Sequence, residues 1–101
     1  MYIYKLRHKS DVNDENIYVG YTNCLCYRLI KHKNKSSEAP NRKLYRYVAE
    51  NGGWDNFEMI VLCNCDNTNK RILEQHFIDE LQPTLNMIRS MSLNSFLKET
   101  N

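Results

Sequence analysis

A phenol, a guanidinium and an imidazole follow one another at Tyr18, Arg28 and His32, spaced by ten residues and then by four. Side chains at i and i+4 lie one above the other on a helix, so Arg28 and His32 share a face of the stretch that follows Tyr18. One carboxylate, Glu74, stands far downstream in another helix-like stretch, and a Tyr-Ile-Tyr run stands upstream at Tyr2, Ile3 and Tyr4. Together these groups suit phosphodiester hydrolysis. That reaction needs a water attacking in line, stabilised charge on the non-bridging oxygens and help for the departing alkoxide.

Each group has a part it would fill. A single glutamate is adequate for magnesium, which keeps most of its waters, so Glu74 would hold a metal that polarises the phosphate. Arg28, permanently charged and planar, suits the developing charge on the phosphate oxygens. Tyr18 would orient the water and take its proton. An unperturbed phenol has a pKa near ~10, so that role requires positive charge close by. His32 is the alternative base on intrinsic acidity. Tyr4 would orient Tyr18 or the water. Taken singly, the tyrosines are ordinary strand residues, Arg28 and His32 a solvated helix face, and Glu74 a helix acid favoured by the dipole; the joint pattern is what points to a site.

The elements that must position these groups are legible in the periodicities. Tyr2 to His8 and Asn16 to Tyr21 read as two strands joined by the polar turn-forming stretch Ser10 to Asp14. Thr22 or Asn23 is predicted to cap a helix with Leu25, Leu29 and Ile30 at helical spacing, broken by the polar run Lys33 to Pro40. A second helix is expected over Asn41 to Glu50, stopped by Gly52 and Gly53. Phe57 to Leu62 reads as a strand, and Asn67 or Thr68 as the cap of a third helix bearing Ile72, Leu73, Phe77, Ile78 and Leu81, ended by Pro83. Ser92 to Lys98 is a candidate short helix. The order predicts an α+β fold, a three-stranded antiparallel sheet flanked by helices.

A length of 101 residues fits one domain, and 42% hydrophobic with 26% charged residues is a globular composition. No apolar run approaches the length of a bilayer span, so no membrane is expected. The N-terminus reads as a first strand and not as a signal peptide, which points to an intracellular setting with reduced thiols. The net charge of +2 conceals an asymmetry, for residues 1–50 hold ten Lys/Arg against five Asp/Glu and residues 51–101 hold four against seven. The surplus lies in Arg28, Lys31, Lys33, Lys35, Arg42, Lys43 and Arg46, opposed there only by Glu38. Such a run is either a solvated face or a surface for a polyanion, and its place beside the candidate site favours nucleic acid.

The four cysteines form two Cys-x-Cys pairs, Cys24/Cys26 and Cys63/Cys65. Zinc sites usually leave at least two residues between paired ligands, so reduced thiols are the expectation and a zinc-held interaction domain the weakest of the readings.

Tyr2-Ile3-Tyr4-Lys5-Leu6, Tyr18-Val19-Gly20-Tyr21-Thr22, Arg28 with His32, Gly53-Trp54-Asp55-Asn56-Phe57, Glu74 and Pro83-Thr84-Leu85-Asn86 occur in this order. In content and spacing they resemble the GIY-YIG endonuclease superfamily over about residues 1–88, with 89–101 left as a tail or short helix. The resemblance implies a small module that cuts DNA with one divalent metal, Mg2+ or Mn2+, around a three-stranded antiparallel sheet. Residue by residue it implies Tyr4 and Tyr18 as the signature tyrosines, Gly20 as the signature glycine, Arg28 as the arginine, Glu74 as the metal ligand and Asn86 as the closing asparagine, which would fix backbone beside the site. His32 falls where some members have histidine and others a second tyrosine. The chain departs from the signature at its first glycine, replaced by Tyr2, a change that bears on substrate fit and not on mechanism. The rival reading is a nucleic-acid-binding or partner-binding module that has the fold without the cleavage. About fifteen residues follow Asn86, too few for an appended DNA reader, so recognition is expected from the module itself with its basic residues Lys31, Lys33, Lys35, Arg42, Lys43 and Arg46, from a homodimer, or from a targeting partner protein.

Overall fold

The computed structural model describes residues 1–86. Six strands and α-helices follow in order, with a 3-10 turn (Trp54–Asn56) just ahead of the last strand: strands β1 (Tyr2–His8) and β2 (Tyr18–Thr22), helices α1 (Leu25–Glu38) and α2 (Lys43–Glu50), strand β3 (Phe57–Asn64) and helix α3 (Lys70–Leu81). The strands form one antiparallel sheet in the order β2-β1-β3. The α+β architecture matches the expectation from the sequence. The candidate helix at Ser92 to Lys98 lies outside the described residues.

Alternation along the strands divides the core between the two faces of the sheet. On one face, Tyr4 and Leu6 of β1 pack with Leu44, Tyr45 and Val48 of α2, with Phe57 and with Leu85. On the other, Ile3, Ile17 and Val19 meet Leu73, Phe77, Ile78 and Leu81 of α3. Full burial of Ile3, Leu6, Ile17 and Val19 stabilises the fold by roughly 1.5–3 kcal/mol per side chain. The register sets Tyr4 opposite Gly20 and Leu6 opposite Tyr18, so both signature tyrosines belong to one face.

Helix α1 differs from the others. Its one buried residue is His32, and Leu25 packs only at the edge of the α2-side core, so a polar side chain docks the helix. It also runs to Glu38 instead of breaking at Lys33. Lys33 to Glu38 contains no glycine or proline, Ser36 Oγ donates to the Lys33 carbonyl at 2.7 Å, and polarity alone does not end a helix whose outer face is solvated. The cap is Cys24, while the Thr22 hydroxyl accepts the Cys24 N–H at 3.2 Å one step ahead of the helix.

Four smaller boundaries also differ from expectation, and the first is β2, which runs from Tyr18 to Thr22 and not from Asn16 to Tyr21 because its pairing with β1 spans Tyr2 to Leu6. Helix α2 starts at Lys43, because Arg42 is still extended at φ −63° and ψ 146°. Strand β3 continues to Asn64 through its pairing with Tyr2. Helix α3 starts at Lys70 because Asp66, and not Asn67 or Thr68, organises its approach: Asp66 Oδ1 accepts the N–H groups of Thr68 at 2.9 Å and Asn69 at 3.0 Å. Gly52 and Gly53, at φ 95° and 88°, make the turn after α2 that most residues would resist.

Candidate active site

The site grows from the absence of a side chain at Gly20. A Cβ there would stand 2.9 Å from Tyr4 Oη and 3.0 Å from Tyr18 Cε2, closer than carbon atoms normally approach. The glycine therefore leaves the room in which two phenols lie side by side, their ring centroids 6.2 Å apart. Tyr4 is 0% exposed, and Tyr18 reaches the surface.

Behind these rings runs a chain of hydrogen bonds. Arg28 Nε–H donates to Tyr4 Oη at 3.3 Å, Tyr4 Oη lies 2.9 Å from His32 Nε2, and His32 Nδ1 lies 3.0 Å from Tyr45 Oη. We assign the tautomer from the partners. With Tyr4 donating to Nε2 and Nδ1–H donating to Tyr45, every group in the chain is used; the reverse would leave the buried Tyr4 hydroxyl hydrogen without an acceptor. Burial, aided by the positive charge of Arg28, lowers the pKa of His32 from 6.5 to about 4, so the ring is neutral at physiological pH. Burial also raises the phenol of Tyr4, with the neighbouring Tyr18 adding to the effect, and raises that of Tyr45. Trp54 closes the stack, its ring 6.0 Å from His32 and inclined by 27°.

In front lies an open cleft of about 590 Å³, lined by Tyr18, Gly20 and Arg28 from one side and by Lys70 and Glu74 of α3 from the other. Glu74 follows Leu73 at the rim of the apolar stripe that anchors α3. Burial raises its pKa and Arg71 partly offsets that, so its carboxyl holds a proton more readily than an exposed glutamate does. Burial works against the charge of Arg28 too, but the hydrogen bond to Tyr4 and the phenols of Tyr4 and Tyr18 more than compensate, and its pKa is raised.

The sequence-predicted residues thus separate into layers. Tyr18, Arg28 and Glu74 border the common cleft, and Lys31 joins them on the α1 side. Tyr4 and His32 stand behind; His32 is 1% exposed and borders a second cavity of about 70 Å³ that it shares with Tyr18, Arg28 and Arg42. Asn86 lies off the cleft and bonds to the backbone of Val19. Lys33 and Lys35 are exposed farther along α1, and Lys43 and Arg46 border a different cavity of about 250 Å³. Lys5 and Arg7 of β1 are neutralised at 2.7 and 2.9 Å by Asp14.

Two participants were not found by sequence reasoning. Tyr45 reads as a core position of α2, and nothing local marks it as the partner of His32. Lys70 had a signal, since it stands four residues before Glu74 and so shares its helical face. Cys24 and Cys26 are exposed, Cys63 and Cys65 half-buried, and among the described residues no three His, Cys, Asp or Glu side chains gather as a metal cluster. Nor is any described helix long and apolar enough to cross a membrane.

Among protein families, the model of the GIY-YIG catalytic domain matches residues 1–87. The chain belongs to that family of nucleases, whose members generally use a divalent metal. Neither the curated proteins nor the solved structures provide a match to the chain.

Proposed function

We propose that the protein is a divalent-metal-dependent endonuclease that hydrolyses DNA phosphodiester bonds. The observation that carries this reading is the single cleft bordered by Tyr18, Arg28 and Glu74. It offers a phenol, a fixed cation and a carboxylate to one phosphate.

The donor chemistry fits Mg2+ or Mn2+. A lone hard carboxylate, Glu74, beside open cleft volume leaves the remaining coordination positions to water and phosphate oxygens, the arrangement magnesium favours. When bound, such an ion would supply Lewis-acid stabilisation of the phosphate and the leaving oxygen. The chain's own residues do the rest. Arg28 holds the non-bridging oxygens, its guanidinium steered by the Tyr4 hydroxyl. Tyr18, ionised as a phenolate, would orient the attacking water and accept its proton. Tyr4 and His32 act as positioning residues, because each is buried and already engaged by neighbours on both sides. A neutral imidazole whose two nitrogens bond to phenols leaves Tyr18 as the better-placed base.

Supercoiled plasmid and flap, branched and single-stranded oligonucleotides, incubated with and without magnesium, test the reading. Metal-dependent nicking or cutting of any of them is the expected result. Binding without cleavage in both Mg2+ and Mn2+ would replace it with a module that has the fold and not the activity.

A further inference from the structure

Two tyrosine–lysine pairs border the cleft and take no part in the chemistry above. On α1, Lys31 Nζ lies 5.7 Å from the centroid of the Tyr27 ring, and Lys70 Nζ of α3 lies 5.0 Å from the ring of Tyr21 on β2. All four residues line the cavity that Tyr18, Arg28 and Glu74 share. Tyr27 is 60% exposed, and of the exposed large apolar side chains among the described residues it is the one that reaches this cleft. Its ring therefore contributes little to the core and stands open to whatever enters.

An exposed ring with an ammonium over one of its faces suits the two halves of a nucleotide, since a base can stack on the opposite face and a phosphate can pair with the cation. Continuous duplex cannot use the ring in this way. Its base faces are already stacked on one another, and it presents only groove edges and backbone to a protein surface. An unpaired base offers a free face and costs little to reposition.

We propose that Tyr27 and Lys31 form a subsite for an unpaired nucleotide next to the scissile phosphate, so that the enzyme selects DNA with a single-stranded segment, such as a flap, over continuous duplex. Lys70, against Tyr21 on the opposite wall, holds the strand's phosphate as it leaves the cleft. The inference rests on the nuclease reading, which identifies the cleft as the place where DNA is held.

Fluorescence anisotropy of a fluorescein-labelled duplex carrying a single-stranded flap, and of the matching flush duplex, tests it in EDTA so that nothing is cut. Tyr27→Ala is expected to lower the flap-to-duplex affinity ratio about tenfold, within the range that stacking on one aromatic ring supports. Tyr27→Trp is expected to restore the ratio, because the ring face matters and the hydroxyl does not. Lys31→Ala should weaken both DNAs and flatten the salt dependence. Equal losses on the two DNAs in folded Tyr27→Ala, or no rescue by tryptophan, would overturn the subsite. Flap binding that depends on Tyr27 in a protein that cuts nothing with magnesium would uphold the subsite and sink the nuclease reading. Equal cutting of flap and flush duplex by both wild type and Tyr27→Ala would do the opposite.

Discussion

Asn86 pairs with Val19 through both ends of its amide: Oδ1 accepts the Val19 N–H at 2.8 Å, and Nδ2 donates to the Val19 carbonyl at 2.9 Å. Val19 lies on β2, an edge strand of the sheet, between Tyr18 and Gly20. A single side chain thus stands in for a fourth strand at the point where the site is built. The same amide satisfies backbone groups that would otherwise be left open at a partly buried edge.

Asn86→Ala should therefore act on stability first. Losing both bonds is expected to cost about 1–3 kcal/mol, read as a lower urea midpoint. Asn86→Asp keeps the acceptor but sets a carboxylate against the Val19 carbonyl, and should be less stable at neutral pH than below the carboxyl's pKa. An unchanged midpoint in both variants would contradict a bracing role.

Gly20→Ala tests the space between the two phenols. Its methyl would need the position 2.9 Å from Tyr4 Oη, so both rings must give way. Misplacement on the ångström scale costs catalysis heavily, and we expect cleavage to fall on the order of a hundredfold while circular dichroism stays near wild type.

The buried imidazole gives a pH dependence of stability. The folded His32 takes up its proton only near pH 4 and the unfolded ring near 6.5, so between these values the unfolded chain holds more protons. Stability then falls as the pH is lowered from 6.5 toward 4, by roughly 2–4 kcal/mol in total, and above 6.5 this group adds no slope. In His32→Gln the slope over that window should be shallower by this amount when urea midpoints are compared. Equal slopes in the two proteins would refute it.

Glu74 should govern the acid side of the activity profile. Its carboxylate must be ionised to hold a cation, and burial raises the pH at which it ionises. Cleavage is therefore expected to fade, as the pH drops, at a higher pH than an exposed glutamate would dictate. Because Arg71 lowers the Glu74 pKa, Arg71→Gln should move that limb to still higher pH. Glu74→Ala should abolish cutting and leave DNA binding largely intact; cutting at the wild-type rate would dismiss Glu74 as the metal ligand.

Arg28→Ala should lower turnover far more than affinity, since an interaction that strengthens as charge develops appears in kcat. Equal losses in kcat and in binding would reduce Arg28 to a phosphate contact.

What could be read from the chain beforehand follows the range of the forces involved. The β-rich runs put Tyr4 and Tyr18 on strands, and the i, i+4 spacing put Arg28 and His32 on one side of α1, where both reach the Tyr4 hydroxyl. The end of α1 lies beyond the expected break because Lys33 to Glu38 lacks any stop before Pro40, and a polar run reads alike as loop or as solvated helix.

The sequence by itself determined the groups available, their order, and which local face each occupies, because those depend on backbone periodicity within a few residues. Only the tertiary structure decided which of them meet. The His32–Tyr45, Tyr4–His32 and Val19–Asn86 bonds join residues 13, 28 and 67 positions apart, and each exists only through the order and register of β2-β1-β3 and the docking of helices on it. That packing leaves Tyr18 at the cleft and His32 behind it, a division of two aromatic groups that no spacing along the chain encodes.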